Sequence, residues 1–237
     1  MRSQCACGQV MLGLHMMDAG EERLNAAVYA DLRKRLVTGK MTPGCELSTR
    51  GLAQELGVSQ TPVRDALSRL AAEGAVEIRS KRRVQVPPMT AARFDDLLRC
   101  RLLLEPEAAG LALPHMDGER LKRLREIDAA LDRAIATGDA EAYMEGNHAF
   151  HFTLYRAQER RTLTQLIETL WLQFGPFMRT VYGRLANATL VDQHRLAIEA
   201  IVAKDAVALR KAIAADISDG MGLIARSGLV SSTAPSV

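Results

Sequence analysis

The sequence predicts a mainly α protein in two parts: an N-terminal winged helix-turn-helix with a small β-hairpin wing, then a C-terminal antiparallel α-helical bundle. Three observations carry this prediction. Apolar residues keep a helical period from Leu24 to Leu70 and then alternate with polar ones around Arg79–Arg83. Two adjacent prolines, Pro87 and Pro88, then interrupt the chain. Beyond them the helical period returns and holds to about Ser227. The expected boundaries are a disordered tail over 1–20, the winged domain over 21–86, a linker over 87–90, the bundle over 91–227 and a second disordered tail over 228–237.

In the winged part, Leu24, Val28, Leu32 and Leu36 recur every four residues and make an amphipathic first helix that ends near Thr38 and Gly39. A second helix is expected from about Thr49 to Leu56, with Leu52, Ala53 and Leu56 inward and Gly57 as its stop. Ser59 is a favourable N-cap for a third helix, and Pro62 is tolerated in its first turn. Val63, Ala66, Leu67 and Leu70 form that helix's apolar stripe, and Gly74 closes it. Val76 and Ile78, then Val84 and Val86, alternate on either side of a basic tip. In the second part, breaks at Pro114–Gly118, Gly138-Asp139, Glu159–Arg161, Ala186–Thr189 and Lys204-Asp205 divide the chain into six or so helices. Leu98, Leu102 and Leu103, and later Ile167, Leu170 and Trp171, are expected in the core.

Composition narrows the class. The 237 residues are 48% hydrophobic and 25% charged, ordinary for a folded protein long enough to bury a core. No apolar run reaches the roughly 18 residues a membrane-spanning helix needs, and the stretch Val10–Met17, broken by Gly13 and His15, makes a poor signal peptide. The expected compartment is the cytoplasm. The four cysteines show no paired CxxC spacing and suggest no disulfide scaffold. Net charge is only +3, but its distribution is uneven. Through residue 88 the chain carries 13 Lys/Arg against 9 Asp/Glu, and after it 18 against 19. The positive part is the one expected to meet a polyanion.

The face left polar by the third helix fits that partner. With the apolar stripe inward, Gln60, Thr61 and Arg64 face solvent at the helix start, able to donate to phosphates or to base edges in a major groove. Lys81, Arg82 and Arg83 lie in a row at the wing tip. The run Leu47–Arg50, Leu52–Leu67, Arg69-Leu70 and Glu73-Gly74 resembles the DNA-binding domain of GntR-family bacterial transcription regulators, and the resemblance extends from about Leu24 to Val86. It implies DNA contacts from Arg50, Ser59, Gln60, Thr61, Arg64 and Lys81. Gln60 stands where many members have Arg, which shifts the expected base preference from guanine toward adenine. Lys81 stands where the wing often has Gly.

The second part also resembles a known module. Arg101–Ala109, Asn147–His151 and Gln193 through Ile201 are similar to motifs of the all-helical, FCD-type ligand domain in the FadR-like branch of that family. Asn147 and His151 are four apart and so share one helical face, whereas His148 points about 100° away. The family commonly places Asp, His, His and His at the positions of Asn147, His151, His194 and Asp216, holding a divalent metal. Two imidazoles, one carboxylate and one amide oxygen still suit zinc, with nickel or manganese as alternatives. An inward Arg101 implies an anionic partner. The resemblance implies an organic-acid effector, while the sequence equally allows a salt bridge to Glu105.

The function expected is a ligand-responsive regulator: a homodimer on a pseudo-palindromic double-stranded operator, a repressor released by a small carboxylate bound in a metal-containing helical domain. It is not expected to be an enzyme. The alternative is a metal-dependent hydrolase using His151, His194 and Asp216, which leaves the winged helix without a task and lacks an evident general base.

Overall fold

The computed structural model describes residues 7–80, 83–185, 192–226 and 230, with side chains from residue 20 onward except at 180, 181 and 183–185. The elements run α1 (Cys7–Val37), β1 (Glu46–Leu47), α2 (Thr49–Leu56), α3 (Gln60–Ala72), β2 (Glu77–Ser80), β3 (Arg83–Gln85), α4 (Ala91–Ala112), α5 (Gly118–Thr137), α6 (Ala140–Tyr155), α7 (Arg161–Leu185), α8 (Gln193–Val202) and α9 (Ala206–Ala225). A single 3₁₀ turn, Leu113–His115, follows α4. The architecture is the predicted one: a winged helix-turn-helix followed by a helical bundle, of six helices among the described residues.

Local chemistry explains where the helices start and stop. Ser48, Thr90, Asp117, Asp139, Asp192 and Asp205 each accept a backbone N–H in the first turn of α2, α4, α5, α6, α8 and α9. Each such cap stabilises its helix by about 1 kcal/mol. Gly57, at φ 66°, takes the left-handed conformation that turns α2 toward α3. Ser59 sits at the cap position of α3 in extended backbone, but its side chain makes no capping bond. That leaves the hydroxyl free on an exposed surface.

Val28, Leu32 and Leu36 of α1 meet Val63, Leu67 and Leu70 of α3 in one buried cluster that continues into the bundle. The continuity comes through α7, which packs on α1 as well as on α4, α6 and α9. Gly175 permits the approach: a Cβ there would lie 2.6 Å from the Leu36 carbonyl oxygen and 2.6 Å from the Val37 Cα. Ion pairs Arg33–Glu168, Lys34–Glu145 and Lys40–Glu141 border the same seam.

Several expectations need correction. The first helix begins at Cys7, not near residue 21 after a disordered tail. Gly8, Gly13 and Gly20 each cost about 1 kcal/mol in a helix, too little to stop one that is already propagating. Residues 1–6 and most of the expected C-terminal tail lie outside the described residues, as does the break predicted at Ala186–Thr189. The wing is larger than a hairpin, because β1 pairs with β3 to give an antiparallel sheet of order β1-β3-β2. Leu24 is 42% exposed, since the α1 stripe reaches beyond the partner it packs on, and Leu103 is 67% exposed because it faces away from the bundle. The linker is not free chain: Pro87 and Met89 are buried. Among the described residues no helix is long and apolar enough to cross a membrane.

Candidate DNA-reading face and candidate metal centre

The burial of Val63, Ala66, Leu67 and Leu70 forces the opposite side of α3 outward. Gln60, Thr61 and Arg64 are exposed there, with Ser59 just before them and Arg50 exposed in the first turn of α2. Neither Arg50 nor Arg64 has an ion-pair partner among the described residues. Neighbouring arginines are committed elsewhere: Arg35 pairs with Asp31 and Glu55, and Arg69 lies over the Tyr29 ring. Two uncommitted guanidiniums beside the amide and hydroxyls of Gln60, Thr61 and Ser59 form a surface suited to phosphate and base-edge contacts. Lys81 lies outside the described residues.

The second site lies inside the bundle. Asn147 and His151 on α6, His194 on α8 and Asp216 on α9 line one cavity of about 300 Å³, together with Arg101 of α4. His151 Nε2 is 3.1 Å from Asp216 Oδ2, and His194 Nε2 is 3.7 Å from Asp216 Oδ1. The two imidazole Nε2 atoms are 3.5 Å apart. One ligand atom from each of these three residues lies within 4.8 Å of the others. Asn147, only 5% exposed, has no hydrogen-bond partner among the described residues.

A chain of buried hydrogen bonds fixes which nitrogen of His151 faces the cavity. Glu105, fully buried, accepts from Arg101, from the Tyr155 hydroxyl at 2.9 Å and from Trp171 Nε1 at 3.1 Å. Having donated its one proton to Glu105, Tyr155 can only accept from His151 Nδ1, 2.9 Å away. His151 therefore carries its proton on Nδ1 and presents the Nε2 lone pair to the cavity. This is the orientation that an outer hydrogen bond gives a metal-binding histidine.

Electrostatics favours the same use. Burial pushes His194 down to about 4, outweighing the Asp216 carboxylate, so the ring is neutral near neutral pH. Burial alone would raise Asp216, but His194, His151 and Arg101 outweigh it and hold the carboxyl at about 2. The His151 Nε2 lone pair and the ionised Asp216 carboxylate, 3.1 Å apart, are acceptor facing acceptor, and His194 Nε2 lies 3.5 Å and 3.7 Å from them. A divalent cation satisfies all of them, and the amide oxygen of Asn147 supplies a fourth donor. The donor set fits a metal.

Arg101, 3% exposed, realises both readings of its role. It forms a two-pronged ion pair with Glu105, lies over the Phe174 ring at 4.4 Å, and still lines the cavity. The sequence placed Trp171 in the core without a role at the site, and did not single out Tyr155, Tyr143 or the carboxylates Asp128, Asp132, Asp192 and Asp219; together these complete the lining and the hydrogen-bond chain. Tyr155 could have been found, four residues after His151 on the same face. The aspartates come from α5, α9 and the N-cap of α8, and only the fold brings these elements to one cavity.

Comparison with known proteins shows which family the chain resembles. Residues 24–86 match "Bacterial regulatory proteins, gntR family", and residues 96–219 match the FCD domain. The chain is 30% identical over 204 residues to the HTH-type transcriptional regulator McbR of Escherichia coli (strain K12), covering 85% of this chain and 92% of that one. It is 30% identical over 189 residues to the gluconate operon transcriptional repressor of Bacillus subtilis (strain 168), covering 75% of each. The solved structure of E. coli McbR/YncC superposes with a TM-score of 0.80 at 30% identity, over 86% of this chain and 97% of that one. A putative GntR regulator from Rhodococcus sp. RHA1 superposes with a TM-score of 0.67 at 22% identity, over 85% and 97%, a likeness of fold.

Proposed function

Because this chain belongs to the GntR family of bacterial transcription regulators, in the FadR-like branch that carries an FCD domain, we propose that a divalent metal and a small carboxylate in the bundle cavity control its grip on DNA. The chain is a ligand-responsive DNA-binding regulator and not an enzyme, and the hydrolase alternative finds no support among its relatives. Asn147, His151, His194 and Asp216 would hold the metal, zinc by preference with nickel or manganese as alternatives. The metal supplies Lewis-acid positions to which an acid's oxygens bind. Arg101, already beside the cavity, faces that charge. The regulator acts as a homodimer, each protomer setting Arg50, Ser59, Gln60, Thr61, Arg64 and Lys81 against one half of a pseudo-palindromic operator. It works in the cytoplasm, as a repressor that the acid releases.

The observation that carries this reading is the convergence of His151, His194 and Asp216 in a cavity lined by α7, the helix that also packs on α1 of the winged domain. Phe174 and Met178 of α7 line that cavity. Gln173, between them and α3, donates to the Glu73 carbonyl at the end of the reading helix. An occupant that shifts α7 is therefore felt by α3 directly. The ligand changes DNA affinity only in so far as it binds the two arrangements unequally. The test is metal analysis of the purified protein, with operator titrations before and after chelation and with added carboxylates. Stoichiometric metal, and an operator affinity that falls when metal and acid are both present, is the expected result. Metal-free protein that takes up no zinc, nickel or manganese refutes it.

A further inference from the structure

The charge of the bundle cavity is one-sided. Apart from the metal-holding residues and Arg101, the charged side chains lining it among the described residues are Asp128, Asp132, Asp192 and Asp219. Arg101 is largely neutralised by its own ion pair with Glu105. The four aspartates are not matched in that way. Asp132 has no ion-pair or hydrogen-bond partner among the described residues. Asp128 Oδ1 is 3.7 Å from His194 Nδ1, on the far side of that ring from Asp216. Among the described residues Asp219 accepts only the neutral amide of Gln193, at 3.1 Å. Asp192 caps α8 and lies 3.9 Å from Arg195, an exposed cation that also pairs with Glu199. Asp128 and Asp132 are one turn apart on α5, as are Asp216 and Asp219 on α9, and like charges at these spacings destabilise a helix. With a divalent ion in place the lining stays net negative. In the lining of the same cavity Asn147, 5% exposed and without a hydrogen-bond partner among the described residues, keeps its amide N–H donors free for a bound molecule.

We propose that the effector is an aminocarboxylate, a small molecule with a carboxylate at one end and a protonated amine at the other. This refines the carboxylate reading above and rests on it. The carboxylate faces the metal, the Asn147 amide and Arg101. The ammonium is received among Asp128, Asp132 and Asp219. A second carboxylate at that end would meet the same three like charges, so the pocket discriminates against dicarboxylates of the same length by charge, not by size.

The test uses full-length, zinc-loaded protein and two matched pairs, γ-aminobutyrate against succinate and β-alanine against malonate, with butyrate as the uncharged-end control. Binding is read by calorimetry. The amino acid of a pair should bind on the order of tenfold tighter than its dicarboxylate, with butyrate between them. Asp132 is exposed, so Asp132→Asn should fold normally, with an unchanged melting temperature, and should narrow that ratio. Asp132→Asn combined with Asp219→Asn should abolish it. If the dicarboxylates bind as tightly as the amino acids, or the ratio survives in the double variant, the aminocarboxylate assignment is overturned while the metal-carboxylate reading stands. If zinc binds but no member of the series does, both fall.

Discussion

Gln173 binds both sides of the junction between the two domains. Its amide donates to the Glu73 carbonyl at 3.1 Å, and its oxygen accepts from Arg93 at 3.3 Å, while Arg93 also donates to the Gly74 carbonyl at 3.0 Å. Glu73 caps the C-terminus of the reading helix. The next residue of α7, Phe174, lines the bundle cavity and lies against Arg101. One residue of helix thus separates the cavity wall from the clamp on α3.

Gln173→Ala should uncouple the two. Unliganded operator affinity is expected to stay near wild type, because no DNA-facing residue is touched. The change in affinity caused by metal and acid should shrink, and stability should fall by about 1–2 kcal/mol for the lost hydrogen bonds. Operator titrations with and without ligand read this, and a full response in the variant would remove Gln173 from the pathway.

Gly175→Ala tests the same seam by packing. The added methyl would sit 2.6 Å from backbone atoms of Leu36 and Val37, which no side-chain rotation relieves. A loss on the order of 1–3 kcal/mol is expected in thermal or denaturant unfolding. Wild-type stability would mean that α1 and α7 can separate freely.

Glu105→Gln should be costly at two levels. It removes the counter-charge of a guanidinium that is 3% exposed, a loss of about 3–5 kcal/mol. It also weakens the bond that orients Tyr155 and hence His151, so zinc affinity should fall by roughly 10–100-fold. Replacing Arg101 and Glu105 together by leucine should recover most of the stability.

Asp128 gives a pH signature. Burial, then Asp192 and Asp132, push its carboxyl up to about 6. The folded protein therefore holds this proton more tightly than the unfolded chain does. Stability from this source is fully present below about pH 4 and is lost as pH rises through about 6. Asp128→Asn removes the titration, so chelator-treated variant should gain on wild type as pH rises from 4 to 7. A constant difference in melting temperature across that range would contradict the assignment.

On the DNA face, Arg64→Ala and Arg50→Ala should each weaken operator binding by about 1–3 kcal/mol without lowering the melting temperature, since both side chains are exposed and uncommitted. Wild-type affinity in both would refute the docking face.

The sequence by itself determined the local structure. Cap residues, glycine stops and apolar periods placed α2, α3 and the bundle helices, because those signals act within a few residues of one another. The same periods turned Arg64 outward. Family motifs nominated Asn147, His151, His194 and Asp216, and the structure gathers all four around one cavity. Only the tertiary structure decided the rest. The pairing of β1 with β3, the contact of Gly175 with α1, the Glu105–Tyr155–His151 chain and the ring of aspartates all join residues from separate elements. Hydrogen bonds and charge fields depend on distance in space, and helices tens of residues apart reach those distances only once apolar burial has packed them together.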